Sequence, residues 1–129
     1  MRVSVRRLAR PQLALSQSGV GLEWLQEASM KFVVLFEDNP AAGADVRRQH
    51  MAAHLVFLEK HAARVMAAGP LQTGDGQGAG GLWLVEAADA SEVDALVKED
   101  PFWPTGLRKS VRILAWKQVF ADGRRLISG

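Results

Sequence analysis

The chain predicts an α+β domain: one antiparallel sheet with two helices packed on it. Three observations carry that prediction. Residues 31–37, KFVVLFE, are apolar without interruption from Phe32 to Phe36, as expected of a central strand buried on both faces. Residues 44–67 hold a helical pattern with neither Pro nor Gly. A second helical stretch, 91–99, is flanked by the strand-like runs LWLVEA at 82–87 and VRILAWKQV at 111–119. With a short extended segment at 70–73, the order becomes β-α-β-β-α-β. Right-handed crossovers in the two β-α-β halves put both helices on one face of a four-stranded antiparallel sheet, the arrangement of the ferredoxin-like fold.

Each element has a local reason. Asp38-Asn39-Pro40 ends the first strand with turn chemistry. Asp45 sits where a negative charge complements the dipole of the first helix. Measured around that helix from His50, residues Met51, Leu55, Leu58, Ala62 and Val65 fall between about 60° and 140° and form the expected buried stripe. Val56, Glu59, Lys60 and Ala63 fall on the solvent side. His50, His54 and His61, all the histidines of the chain, form a column at about 0–40°, along one border of the stripe. Gly69 is expected to stop the helix, and Pro70 to open the extended segment. GDGQGAGG, residues 74–81, reads as a flexible hairpin loop. Ser91 with Asp94 resembles a cap for the second helix, and Asp100 ends that helix because the residue before Pro101 avoids helical backbone. Residues 102–109 read as irregular and 121–129 as a polar tail. The first strand is apolar on both faces, so the face of the sheet away from the helices needs a cover. A second copy of the chain, giving a homodimer with sheets face to face, is the simplest one.

At 129 residues the chain fits one domain with a real core. It has no cysteine, which excludes disulfides, thiolate nucleophiles and Cys-ligated zinc. No apolar run approaches the roughly 20 residues of a membrane helix, so no membrane partner is expected. The pI of about 9.4 suggests nucleic acid, but the charge is uneven. Residues 1–29 hold four Arg against two Glu, leaving 12 basic and 12 acidic side chains in residues 30–129. A balanced domain has no basic stripe for a phosphate backbone, so no nucleic-acid partner is expected.

Residues 1–29 read as foreign to the rest. Their Arg- and Ser-rich first part resembles a targeting peptide, while the apolar centre, Leu13 to Leu15, is too short for a secretory signal. Another reading makes Met30 the natural start, because the first strand follows it directly and Gln26-Glu27-Ala28 can be encoded by a ribosome-binding sequence. A genuine extension packing Leu22, Trp24 and Leu25 on the domain is the third. The expected organisation is residues 1–29 as an extension, 30–120 as the domain and 121–129 as a tail, in a cytoplasmic protein.

The helices of this fold run antiparallel, so the first one brings His50 and His54 to the edge where the second ends at Asp100. A carboxylate beside an imidazole fixes its tautomer and makes it a competent base. The same pair also serves as a plain helix-packing contact. His50 and His54 have metal-ligand spacing, but Met51 stands where a metalloprotease helix has Glu, and no metal is expected. The Gly-rich loop lacks a following Lys and helix, which argues against a phosphate cradle. Trp83 and Trp116 read as core or dimer contacts, and Trp103, in the irregular stretch, as core or cleft lining.

Taken together, KFVVLFED, Arg47-Arg48, AAHLVFL with His54, AAGPL with Gly69 and Pro70, GLWLVEA, and EDPFW with Asp100, Pro101 and Phe102 resemble the YCII-related family of the dimeric α+β barrel group. The resemblance implies a dimer with a His–Asp couple in a cleft. It places the family's histidine on His54 and its aspartate on Asp100, with Gly69, Pro70 and Phe102 shaping the cleft. It also implies cofactor-free elimination or isomerisation of small cyclic or aromatic-derived compounds. The expected site is therefore His54 and Asp100 as catalytic groups, with Gly69, Pro70, Phe102, Trp103 and His50 binding a small-molecule ligand. A non-catalytic ligand-binding protein of the same fold is the alternative. Arg48, at about 160° on the helix, points away from His54.

Overall fold

The computed structural model describes residues 29–42 and 44–129. The readings made for residues 1–28 lie outside them. Strand β1 spans Met30–Asp38, helix α1 Ala44–Lys60, β2 Val65–Gln72, β3 Gly78–Ala87, helix α2 Ala90–Glu99 and β4 Arg108–Ala115. One 3₁₀ turn, Pro40–Ala42, precedes α1 and another, Trp103–Thr105, follows α2. The four strands form an antiparallel sheet in the order β2-β3-β1-β4, so the apolar run is central, as its composition demands. This is the ferredoxin-like α+β fold.

Pleating sends Phe32, Val34 and Phe36 of β1 to the helical face, where they are buried with Trp83, Val85 and Ala87 of β3. Phe57 of α1 and Val93, Leu96 and Val97 of α2 close over them. Each buried Val, Leu or Phe side chain among them contributes about 1.5–3 kcal/mol by leaving water. On the other face Val33, Leu35, Leu82 and Leu84 are half-buried, while Leu114 and the neighbouring Trp116 are exposed. The Lys31–Glu86 ion pair, at 2.8 Å, borders them. Among the described residues no helix is long and apolar enough to cross a membrane.

Several boundaries differ from the sequence reading. Helix α1 ends at Lys60 instead of continuing to 67, and a turn at 61–64 leads straight into β2. No Gly or Pro marks that stop. The outer edge of β3 needs a ladder, and Val65 and Ala67 pair with Val85 and Leu84 to supply it. Gly69 and Pro70 accordingly lie within β2, an edge strand, where Pro is tolerated. The buried face of α1 is set by His54 and Phe57, whereas Leu55 is 50% exposed. The helix carries two apolar stripes, and the sheet takes the one with the rings. The histidine column therefore lies on the buried face, not on its border.

The loop predicted at 74–81 is shorter, because β3 begins at Gly78. The cap of α2 is Asp89, which accepts from the Glu92 N–H at 2.9 Å, instead of Ser91. β4 runs from 108 to 115 rather than 111 to 119. The segment read as a polar tail holds a small hairpin, Phe120–Ala121 with Arg124–Arg125. Its Asp122-Gly123 turn has positive φ at both residues.

Candidate active site

Pro101 makes the site possible. It forces Asp100 out of helical backbone, to φ −64° and ψ 133°, and α2 stops there. The carboxylate folds back over its own chain, and Oδ1 accepts from the Phe102 N–H at 3.1 Å. From α1, His54 brings Nδ1 to within 2.9 Å of the same oxygen. From β4, Arg108 donates Nη1 to Oδ2 at 2.6 Å. Asp100 is 1% exposed and His54 7%.

Burial alone pushes the Asp100 carboxyl up. The His54 and Phe102 hydrogen bonds and the Arg108 charge outweigh it and hold the group below the usual carboxylate range. An ionised carboxylate only accepts, so His54 Nδ1 carries the hydrogen, and in the uncharged tautomer this contact selects, the lone pair is on Nε2. Nε2 has no protein partner among the described residues, and no buried side-chain nitrogen there is left enclosed and unpaired. It is therefore not sealed off, and the open space that His54 lines is a cavity beside α1. The imidazole is clasped by Phe102 and Trp83, with ring centroids 4.7 and 6.2 Å away.

That cavity, of about 100 Å³, lies between α1 and the β1-β3-β2 part of the sheet. Phe36, Trp83 and Gly81 of the sheet line it, with Met51, Leu55 and Leu58 of α1 and Ala68, Gly69 and Pro70 of β2. Arg108, Arg47 and Asp38 supply its charge. Arg47 holds Asp38 through both carboxylate oxygens, at 2.9 and 3.1 Å.

Of the residues singled out from the sequence, the fold thus brings His54, Asp100, Gly69 and Pro70 to one place. Phe102 is fully buried and supports the His54 ring from behind instead of lining the cavity. His50 packs its ring edge-on to Phe102, centroids 6.4 Å apart, and does not reach the cavity. Trp103 is 37% exposed and does not line the cavity, because the 3₁₀ turn that begins there buries Phe102 before it and carries Trp103 to the surface. Arg48 pairs with Asp45 on the outer face of α1. Among the described residues no group of three or more His, Asp or Glu side chains is clustered in a way that would hold a metal ion.

The sequence reading missed both arginines. Arg47 was within reach of it: the rotation that turns Arg48 away puts Arg47 at about 60°, beside His54. Arg108 was not. Val111 and Ile113 face the helices opposite Phe36 and Val34, so strict alternation sends Lys109 inward and Arg108 outward. A β-bulge intervenes. Glu37 pairs with Ser110, but the next residue, Asp38, pairs with Arg108. The extra residue turns Lys109 out to Glu37 and Arg108 in to Asp100.

Comparison with known proteins accords with this architecture. The YCII-related domain matches residues 30–117. The chain belongs to the YCII-related family. Among solved structures, this YCII-related protein is similar to a 5-chloro-2-hydroxyhydroquinone dehydrochlorinase from Burkholderia phenoliruptrix AC1100, determined in complex with 2,5-dihydroxybenzoquinone. The two share 32% identity and a TM-score of 0.60 over 68% of this chain and 94% of the other. A dimeric ferredoxin-like protein of unknown function from Bacteroides fragilis is more distant. It shows 12% identity and a TM-score of 0.43 over 70% of this chain and 97% of that one. Among curated proteins no significant match was found.

Proposed function

We propose that this protein is a cofactor-free enzyme of lyase or isomerase type acting on a small hydroxylated ring, with His54 and Asp100 as its proton-transfer couple. The observation that carries the reading is the His54 Nδ1 contact with a buried, ionised Asp100, which leaves Nε2 unpartnered beside a cavity of ring size. In an elimination, Nε2 takes a proton from the substrate. The electrons of that bond form the new double bond, and the leaving group departs with its own electron pair. Asp100 stabilises the imidazolium formed and keeps the ring in register. In an isomerisation the same nitrogen returns the proton elsewhere on the ring. The likeness to a dehydrochlorinase, at 32% identity, supports elimination of hydrogen halide from a halogenated hydroxy-ring as the first reaction to assay.

The reading includes a homodimer. On the outer face of the sheet Val33, Leu35, Leu82 and Leu84 are half-buried and Leu114 is exposed, an apolar surface that a second copy would cover.

The test is anaerobic halide release from 5-chloro-2-hydroxyhydroquinone and related chlorinated rings by wild type and His54→Ala. Loss of the base is expected to lower turnover by about 100-fold or more while leaving ligand binding detectable. Turnover in His54→Ala equal to wild type removes His54 from the chemistry. Ligand binding without turnover of any ring favours the non-catalytic binding protein.

A further inference from the structure

Arg108 occupies a place where a guanidinium is costly, and only part of it is satisfied. Its side chain is 6% exposed. Burial pulls it below its usual range, and the Asp100 carboxylate opposes that pull. One nitrogen, Nη1, donates to Asp100. A guanidinium carries five N–H donors in one rigid plane. Among the described residues Nη2 and Nε have no hydrogen-bond partner, yet no buried side-chain nitrogen there is both enclosed and unpaired. The free edge of the guanidinium therefore meets open space, and the space Arg108 lines is the His54 cavity.

Two further features prepare that edge. The guanidinium carbon sits 3.9 Å from the centroid of the Phe36 ring, and the Asp100 bond anchors one end, so its plane is fixed before any ligand arrives. Arg47 lines the same cavity, and its positive charge opposes that of Arg108. Asp38, already held by Arg47, offsets this only in part. The cavity thus joins apolar ring faces, a basic nitrogen and the donors of two mutually repelling cations.

We propose that Arg108 is a substrate-binding residue that takes an anionic oxygen carried on a planar ring, an ionised ring hydroxyl or a carboxylate. This deepens the proposed function and rests on its placing the ligand in the His54 cavity. It narrows the substrate class to ring acids whose oxyanion lies beside the reacting carbon. A neutral isostere leaves the buried donors of Arg108 unmatched, and that penalty, more than ring shape, sets specificity. Because the same guanidinium braces Asp100, the ligand's charge and the orientation of His54 are tied to one side chain.

The test compares calorimetric titrations of two flat ligands at neutral pH. One is 2,5-dihydroxybenzoquinone, a vinylogous diacid that is ionised there, and the other is 2,5-dimethylbenzoquinone, its neutral isostere. The chain has no cysteine to add to a quinone. Wild type is expected to prefer the acid by about tenfold or more, the value of a buried charge-assisted hydrogen bond. Arg108→Gln is expected to bring the ratio close to one. Arg108→Lys, which retains the charge facing Asp100 but loses the planar fork, is expected to keep part of it, and it carries the test should the Gln variant not fold. A wild type without preference, a ratio unchanged in the variants, or an equal weakening of both ligands overturns the proposal. The titrations need no turnover. An Arg108-dependent preference with neither halide release nor isomerisation of any ring removes the enzyme reading alone. Halide release with kcat/KM unchanged in Arg108→Gln removes the Arg108 assignment alone.

Discussion

Asp100 receives three donors from three parts of the chain: the His54 ring, the Phe102 backbone and the Arg108 guanidinium. Its removal leaves Arg108 buried without its counter-charge, so Asp100→Ala is expected to destabilise the fold by about 3–5 kcal/mol in urea unfolding at neutral pH. A cost below about 1 kcal/mol would show that water replaces the carboxylate readily. The pH dependence follows with a definite sign. The folded carboxyl titrates below the ordinary value of 3.8 that the unfolded chain restores. Its stabilisation is therefore fully present above that value and is lost as pH falls through the folded pKa. Unfolding series carried from neutral into acid should show this extra acid slope in wild type and its absence in Asp100→Asn.

Among the elements, β3 is the most constrained. At Gly80 the backbone has φ +96°, and an added Cβ would lie 1.9 Å from the Phe36 carbonyl oxygen. Gly80→Ala is expected to cost about 2–5 kcal/mol through strain and overlap, whereas Gly74→Ala, with nothing within reach, should stay within about 0.5 kcal/mol. Thermal denaturation of the two variants compares them directly; equal melting temperatures would contradict the argument. The glycine-rich stretch thus owes part of its composition to strand pairing, which loop-like composition does not disclose. The elements themselves were legible where one physical signal dominated. The apolar run of β1, the Pro101 stop after Asp100 and the element order sufficed for the fold and for the meeting of His54 with Asp100. They did not suffice where tertiary demand overrode local pattern. Residues 65–67 leave the helix because β3 lacks a partner, and α1 turns Phe57 instead of Leu55 to the sheet. Arg108 was hidden because a bulge is a property of pairing between strands and leaves no mark in the periodicity of one strand.

At the scale of the molecule, and among the described residues, helices close one face of the sheet and leave the other, apolar face without a helix on it. With the outer face paired against a second copy, wild type should sediment as a dimer, and Leu84→Lys should shift it towards monomer without unfolding it, since Leu84 lies off the core. A wild type that remains monomeric across the accessible concentration range would oppose the dimer. The bulge in β4 also bears on how family members are compared with one another. Arg108 and Lys109 are adjacent basic residues, and one extra residue in the backbone decides which of them turns inward. Columns aligned by alternating polarity will equate Lys109 with the inward position of a relative that lacks the bulge, and will misreport conservation at the residue that matters. The sound anchor is the Glu37–Ser110 pairing: from Ser110, one residue is skipped before the inward cation is reached.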